Sequence, residues 1–405
     1  MAALTLNALL CVALFIQLYL FLRARRFIRG RRNLSPGQQR AAIMATAVFF
    51  GLMSLPYLIR LLLGRPSAIS SPWFTYGVLY PFGVWSVGSM FLVFFLVFAS
   101  PIRWIASRVA GGFKPFSPPP RDPARTGPSL SRRSFLRRAV GATAAAPLLL
   151  SAYGTVHTRT DYETVDMDMP IGGLPPALLG LRVVQISDLH AGPFTTERQI
   201  AGIVSRTNLL RPDLVMITGD IVHSARDDIA PCMRALSLLR ARCGVFACQG
   251  NHEYWVGPEA VRRGAERAGI RMLVNEGRVL SINGVSLNIA AVDDLLLGNP
   301  DLRRALAGLD PSAPTLLLSH RPDLFPAAAR RGVDLTLAGH YHGGQVKVKL
   351  LGVPLSPFRL VTKYLEGPFR RGRSRMYVSR GLGTTGPPVR IGSRPELTLF
   401  RLIRG

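Results

Sequence analysis

The sequence predicts N-terminal membrane-spanning α-helices followed by an α/β domain, and three observations carry that reading. Three long apolar stretches, flanked by arginines, lie before Ser100. From Arg182 onward short apolar runs alternate with segments of helical pattern, as in an α/β fold. Five of those runs end in short polar motifs rich in aspartate and histidine.

At 405 residues the chain exceeds the roughly 100–200 of one domain, so at least two units are expected. A hydrophobic content of 48% together with a net charge of +27 does not fit a single soluble domain. Part of the excess charge is local, since Asp122 is the only acidic residue up to Arg138. Ala2 to Leu22 has about the twenty apolar residues a membrane-spanning helix needs, and a run of arginines from Arg23 to Arg32 follows it. Ala41 to Leu63 is a second stretch, interrupted by Pro56 and Arg60. Trp73 to Ala99 is a third, with Trp73, Tyr76, Tyr80 and Trp104 placed where interfacial aromatics sit. The positive-inside rule puts Arg23 to Arg40 and Arg103 to Arg138 in the cytoplasm and the short Gly64 to Pro72 loop outside.

Pro115 to Pro128 is a proline- and serine-rich linker with too few apolar residues to fold. Ser131-Arg132-Arg133-Ser134-Phe135-Leu136-Arg137 and the apolar run from Ala139 to Tyr153 resemble a twin-arginine export signal, which implies the twin-arginine translocation machinery as a partner. A basic flank of a fourth membrane helix is the alternative, and both place the rest of the chain outside. No small-x-small cleavage site closes the run, which favours a retained anchor. The expected organisation is residues 1–110 as a membrane domain of three helices, 111–138 as a cytoplasmic linker carrying the arginine motif, 139–157 as a fourth span or signal anchor, and 158–405 as an extracytoplasmic domain. This describes a multi-pass protein of a bacterial inner membrane with its folded domain on the periplasmic side.

In that domain strands are expected at Val183 to Ile186, Leu214 to Thr218, Val245 to Cys248, Thr315 to Leu318 and Leu335 to Ala338. Helices are expected near Thr196 to Leu210, Asp228 to Arg240 and Pro258 to Ala268. From Arg271 the pattern turns strand-rich, at Arg278 to Ile282, Val285 to Ala290, Met376 to Val378 and Glu396 to Leu402. The carboxyl ends of strands in an open α/β sheet are where side chains converge on a ligand. The motifs at those ends are Asp188-Leu189-His190, Gly219-Asp220, Gly250-Asn251-His252-Glu253, Ser319-His320 and Gly339-His340-Tyr341-His342.

Carboxylate oxygens and imidazole nitrogens without cysteine suit Mn, Fe or Zn at two adjacent positions better than Ca or a structural zinc. Asp-x-His and His-x-His each put two side chains on one face of an extended segment. Asp220 could bridge two cations with its two oxygens.

This ordered set of motifs resembles the calcineurin-like metallophosphoesterase superfamily. Gly343-Gly344-Gln345 and the segment from Tyr377 to Gly383 resemble its membrane-associated bacterial branch. The likeness covers roughly Leu181 to Ile403 and implies two β-sheets packed face to face with helices outside. It further implies one divalent metal held by Asp188, His190, Asp220 and His342, and a second held by Asp220, Asn251, His320 and His340. His252 would meet the leaving oxygen, so that His252 and Asp220 carry the catalysis of a phosphoester hydrolase. The ion pair would activate water and neutralise the charge that develops on the phosphate.

Weaker candidates surround this set. His223, Arg321 and Arg380 could contact substrate, although solvated side chains are the default in so basic a chain. Asp293 and Asp294 could orient a ligating histidine or cap a turn. Tyr254 and Trp255 could wall the site. Cys232 and Cys243 could pair, while Cys248 reads as a buried thiol. Asp220 is followed by Ile221-Val222-His223-Ser224, which departs from the phosphoprotein phosphatases of the superfamily. His252 stands where the enzymes that cleave UDP-2,3-diacylglucosamine carry an arginine. Location then favours an envelope or lipid-linked phosphodiester or pyrophosphate as substrate. The alternatives are a phosphomonoesterase, a UDP-diacylglucosamine-type hydrolase, and a membrane transporter or sensor with a phosphate-ligand-binding domain. Nucleic acid is not expected, because no basic face is interleaved with stacking aromatics.

Overall fold

A computed structural model describes residues 2–63, 72–111, 145–350 and 353–405. The linker, the arginine motif and the start of the fourth apolar run lie outside the described residues. The chain divides into two compact units, one of residues 1–66 and 81–153 and one of residues 67–80 and 154–405.

The first unit is helical. Ala2–Arg29 and Pro36–Leu63 form two 28-residue helices, and Tyr80–Gly111 forms one of 32. Pro36–Leu62 and Thr75–Val97 are long and apolar enough to cross a membrane, with mean hydropathy of 1.9 and 1.7. Only 6% and 22% of their most apolar windows are buried, which separates them from the core helices of a soluble fold and associates the protein with a membrane. Within the unit, the buried Gln17 side chain accepts from Trp85 Nε1 at 2.7 Å and donates to Ser89 Oγ at 3.1 Å. Such side-chain bonds between apolar helices hold them together where no hydrophobic force does.

The second unit carries fourteen strands among its described residues. They are β1 (Glu163–Ile171), β2 (Arg182–Ile186), β3 (Leu214–Thr218), β4 (Val245–Cys248), β5 (Ile270–Met272), β6 (Glu276–Ile282) and β7 (Val285–Ala291). There follow β8 (Thr315–Leu318), β9 (Leu335–Ala338), β10 (Val348–Leu350), β11 (Val353–Leu355), β12 (Gly367–Arg371), β13 (Ser374–Val378) and β14 (Glu396–Arg404). Two six-stranded sheets run in the order β1-β14-β2-β3-β4-β5 and β12-β13-β9-β8-β7-β6, and β10 with β11 forms a separate hairpin. Strands β2 to β5 are mutually parallel, as are β7, β8, β9 and β13.

Period-two alternation builds the layers. Val183, Leu214, Met216 and Phe246 of one sheet pack with Leu287, Leu316, Leu335 and Leu337 of the other in a single buried core. Val184, Ile186, Val215 and Ile217 point the opposite way, against the helices Glu197–Leu209 and Ile229–Leu236. The parallel centre of each sheet is buried on both faces, which explains why its strands read as unbroken apolar runs. The helix expected to reach Arg240 ends at Leu236, because the Asn208 side chain binds Leu238 O and Arg240 N and holds that stretch as a turn. All four cysteines are free, so the suggested Cys232–Cys243 pairing is not formed.

Candidate metal centre

The parallel strands of both sheets end at one place. Asp188 and His190 follow β2, Asp220 follows β3, Asn251 and His252 follow β4, His320 follows β8, and His340 and His342 follow β9. The loops that carry them are forced into unusual backbone shapes. Asp188, His190, Asp220, His340 and His342 all have left-handed φ, between 48° and 75°. Each such residue costs on the order of 1–3 kcal/mol and persists only where its surroundings over-determine it. The strain is therefore concentrated on the residues whose side chains converge. Close approach requires glycine as well: a Cβ on Gly339 would collide with Ser187 Oγ and the Asp188 carboxylate, and one on Gly219 would sit 2.8 Å from Gly250 N.

Two clusters that include a carboxylate result, beside a third group of His190, His223 and His252. In one, His190 Nε2 and His342 Nε2 face each other at 3.1 Å, with Asp188 Oδ1 3.4 Å from His342 Nε2. In the other, His340 Nδ1 lies 3.2 Å from His320 Nε2, which lies 3.3 Å from Asp220 Oδ2. The same Asp220 Oδ2 is 3.6 Å from His190 Nε2. Asp220 Oδ1 is already the acceptor for His252 N at 2.9 Å. Asp220 Oδ2 thus lies within 3.6 Å of a histidine of each cluster.

Several features fit divalent cations here. Asn251 Oδ1 is buried with no hydrogen-bond partner, a cost that a cation would remove. Burial holds His190, His340 and His342 well below the usual imidazole range, leaving them neutral with a lone pair to donate. Burial would lower His320 too, but the Asp220 carboxylate outweighs it and raises His320 to about 10. His320 Nδ1 donates to Thr218 O at 2.8 Å, which directs Nε2 inward.

Comparison with known proteins agrees with this geometry. Residues 181–344 match the calcineurin-like phosphoesterase family. The chain is 32% identical over 283 residues to the uncharacterized metallophosphoesterase YkuE of Bacillus subtilis, covering 67% of this chain and 98% of that one. The chain belongs to the calcineurin-like metallophosphoesterase family. Phosphodiesterase YaeI of Escherichia coli is 28% identical over 284 residues, covering 68% of this chain and all of YaeI. A transmembrane protein with metallophosphoesterase domain from Danio rerio is 32% identical over 265 residues, and the chain spans 59% of its length. Metallophosphoesterases use a dinuclear metal centre, and this chain is a metal-dependent phosphoester hydrolase.

Around the metallophosphoesterase clusters the weaker candidates divide. His252 Nδ1 donates to His223 O at 2.5 Å, which turns Nε2 toward Asp220 Oδ2, 3.9 Å away. The Trp255 ring, 45% exposed, meets His252 edge-on at 4.1 Å and so walls the site at that point. His223 Nδ1 lies 3.4 Å from His190 Nδ1, behind a cluster histidine. Arg321 Nε is anchored to Asp294 Oδ2 at 3.2 Å, next to His320. Arg380 instead binds Glu163 and Glu396, so its guanidinium ties β1 and β14 to the loop after β13. Asp293 accepts from Tyr254 Oη and the amides of Asp294 and Asn299, and Asp294 from Leu296 N and Leu297 N. Both are turn caps, and neither aligns a cluster histidine.

Two supporting roles escaped the sequence reading, that of Glu253, which was placed only within its motif, and that of Arg390. The fully buried Glu253 carboxylate accepts from Gly250 N (2.7 Å), Ile221 N (2.7 Å), Asp220 N (3.0 Å) and Val222 N (3.4 Å). It ties the β3 and β4 tips together. Arg390, also fully buried, donates to the carbonyls of Arg380, Gly383 and Ser393 and backs His342. Glu253→Ala leaves these amides without an acceptor and is expected to destabilise the domain by about 3 kcal/mol or more. A thermal melt beside the native chain checks this, and an unchanged Tm would contradict it.

Proposed function

We propose that the protein cleaves a phosphodiester or pyrophosphate of the envelope, lipid-linked, at the outer face of a bacterial inner membrane. The observation that carries the chemistry is the sharing of Asp220 Oδ2 between the two clusters. In this reading Asp188, His190, Asp220 and His342 hold one cation, and Asp220, Asn251, His320 and His340 hold the other. When bound, the two cations supply a nucleophilic hydroxide near neutral pH and neutralise the phosphate oxygens.

The chain's own residues do the rest. His252, with Nδ1 fixed on the His223 carbonyl, carries its transferable proton on Nε2 and gives it to the leaving oxygen. Arg321, held by Asp294, offers its remaining N–H groups to a phosphate oxygen. His223 positions His190 and His252.

The location follows from the arginine-rich segments between the apolar stretches and from the twin-arginine-like motif. Residues 1–110 and 139–157 would anchor the chain, with 158–405 outside. The phosphodiesterase named among its relatives favours a diester over a monoester.

The test uses full-length protein in detergent, with a chromogenic phosphodiester and the matching monoester. EDTA is expected to abolish turnover and Mn²⁺ to restore it, with the diester preferred. Turnover that survives EDTA would refute the metal reading, and monoester preference would refute the substrate class.

A further inference from the structure

The segment that leaves the His340-Tyr341-His342 motif makes an excursion before the chain returns to the sheet at β12. It comprises β10, β11 and a 3₁₀ turn at Pro357–Leu360. Several of its described apolar side chains are not folded inward. Leu360 is 92% exposed and Val361 73%, and Phe358 and Leu355 are also exposed. Exposed large apolar residues in such a cluster mark an interaction surface.

The surface is basic as well as apolar. From Val346 to Leu365 the sequence holds Lys347, Lys349, Arg359 and Lys363 and no acidic residue. Lys347 is paired with Glu366, whereas Arg359 and Lys363 stand exposed on either side of Leu360 and Val361. Apolar side chains bracketed by cations are the composition that enters the headgroup boundary of an anionic bilayer.

The excursion is tied to the metal centre. Tyr341, between the two cluster histidines, donates from Oη to Asp323 Oδ2 at 3.0 Å. Asp323 and residues 359–364 line one cleft. Ser356 Oγ crowds Gly344, two residues after His342. The loop thus lies against the residues that flank the cluster histidines.

We infer that residues 355–363 form a lipid-contacting surface that rests the metal centre on an anionic phospholipid bilayer. The inference deepens the reading of a lipid-linked substrate and rests on it. Its test involves no turnover, so its failure is distinguishable from failure of the hydrolase assignment.

Full-length protein with Cys11→Ser and Cys243→Ser is spin-labelled at Leu360→Cys, or at Leu209→Cys as a control, and placed in nanodiscs of phosphatidylglycerol and phosphatidylcholine. Leu209, 73% exposed, ends the helix Glu197–Leu209, which packs on the sheet that does not carry this loop. The label at position 360 is expected to collide at least about fivefold more with dissolved oxygen, relative to an aqueous nickel chelate, than the label at 209. Equal access of the chelate to both labels would overturn the inference. So would shielding at 360 accompanied by dipolar broadening between labels, which would show a second copy of the chain on this surface.

Discussion

Asp220→Asn is expected to lower kcat/KM on a phosphodiester by about 10³-fold or more, the upper range for removing one group that stabilises developing charge. The substitution is selective by construction. Asp220 Oδ1 accepts from His252 N, and an asparagine carbonyl oxygen preserves that bond. The changed atom is the one in place of Oδ2, where an amide nitrogen has neither charge nor lone pair to offer between His190 and His320. The loop also keeps its amide bonds to Glu253, which involve Asp220 only through its backbone. Loss of function should therefore come without loss of fold. Elemental analysis is expected to show the metal content falling from two ions per chain to one or fewer, with an unchanged melting profile in the presence of EDTA. Full occupancy of both positions in an inactive variant would move Asp220 from ligand to some other role.

The site was more legible in the sequence than the supports around it, for physical reasons. Strand tips carry short polar residues directly after apolar runs, so Asp188, Asp220 and His320 stand out against Ile186, Thr218 and Leu318. The five central strands are buried on both faces and begin and end within a residue of their expected limits. Edge elements gave weaker signals. β1 alternates Glu163, Val165, Met167 and Met169 with polar residues, but pairs only at the edge, in parallel with β14, its partner at the other end of the domain. No local pattern announces a pairing across that separation. Glu253 and Arg390 were missed because their role lies in backbone groups they bind, and backbone amides leave no trace in residue identity. The same limit explains Arg380, whose partners Glu163 and Glu396 are distant in sequence. The exposed apolar loop after His342 could be read only once its side chains were seen to have no core to enter.

His252 offers the second large effect, and its signature is dependence on the leaving group. Its Nδ1 is committed to the His223 carbonyl, so only Nε2 can exchange a proton with substrate. Trp255 packs on the ring and limits its rotation. A general acid matters in proportion to the basicity of the oxygen that departs. With an alkyl diester, whose alkoxide leaves poorly, His252→Ala is expected to lower kcat by 10²–10⁴-fold, the usual range for a positioned acid. With a nitrophenyl diester, whose phenolate leaves without a proton, the loss is expected to be about tenfold or less. His252→Gln, which fills similar space but holds no transferable proton, should follow the alanine variant on both substrates. The alternative role is purely structural, with the ring filling space beside His190. A structural role predicts equal losses on both diesters together with reduced metal content, because a displaced His190 affects every substrate alike. Steeper dependence on leaving-group basicity in His252→Ala, at full metal occupancy, assigns the proton transfer to this residue.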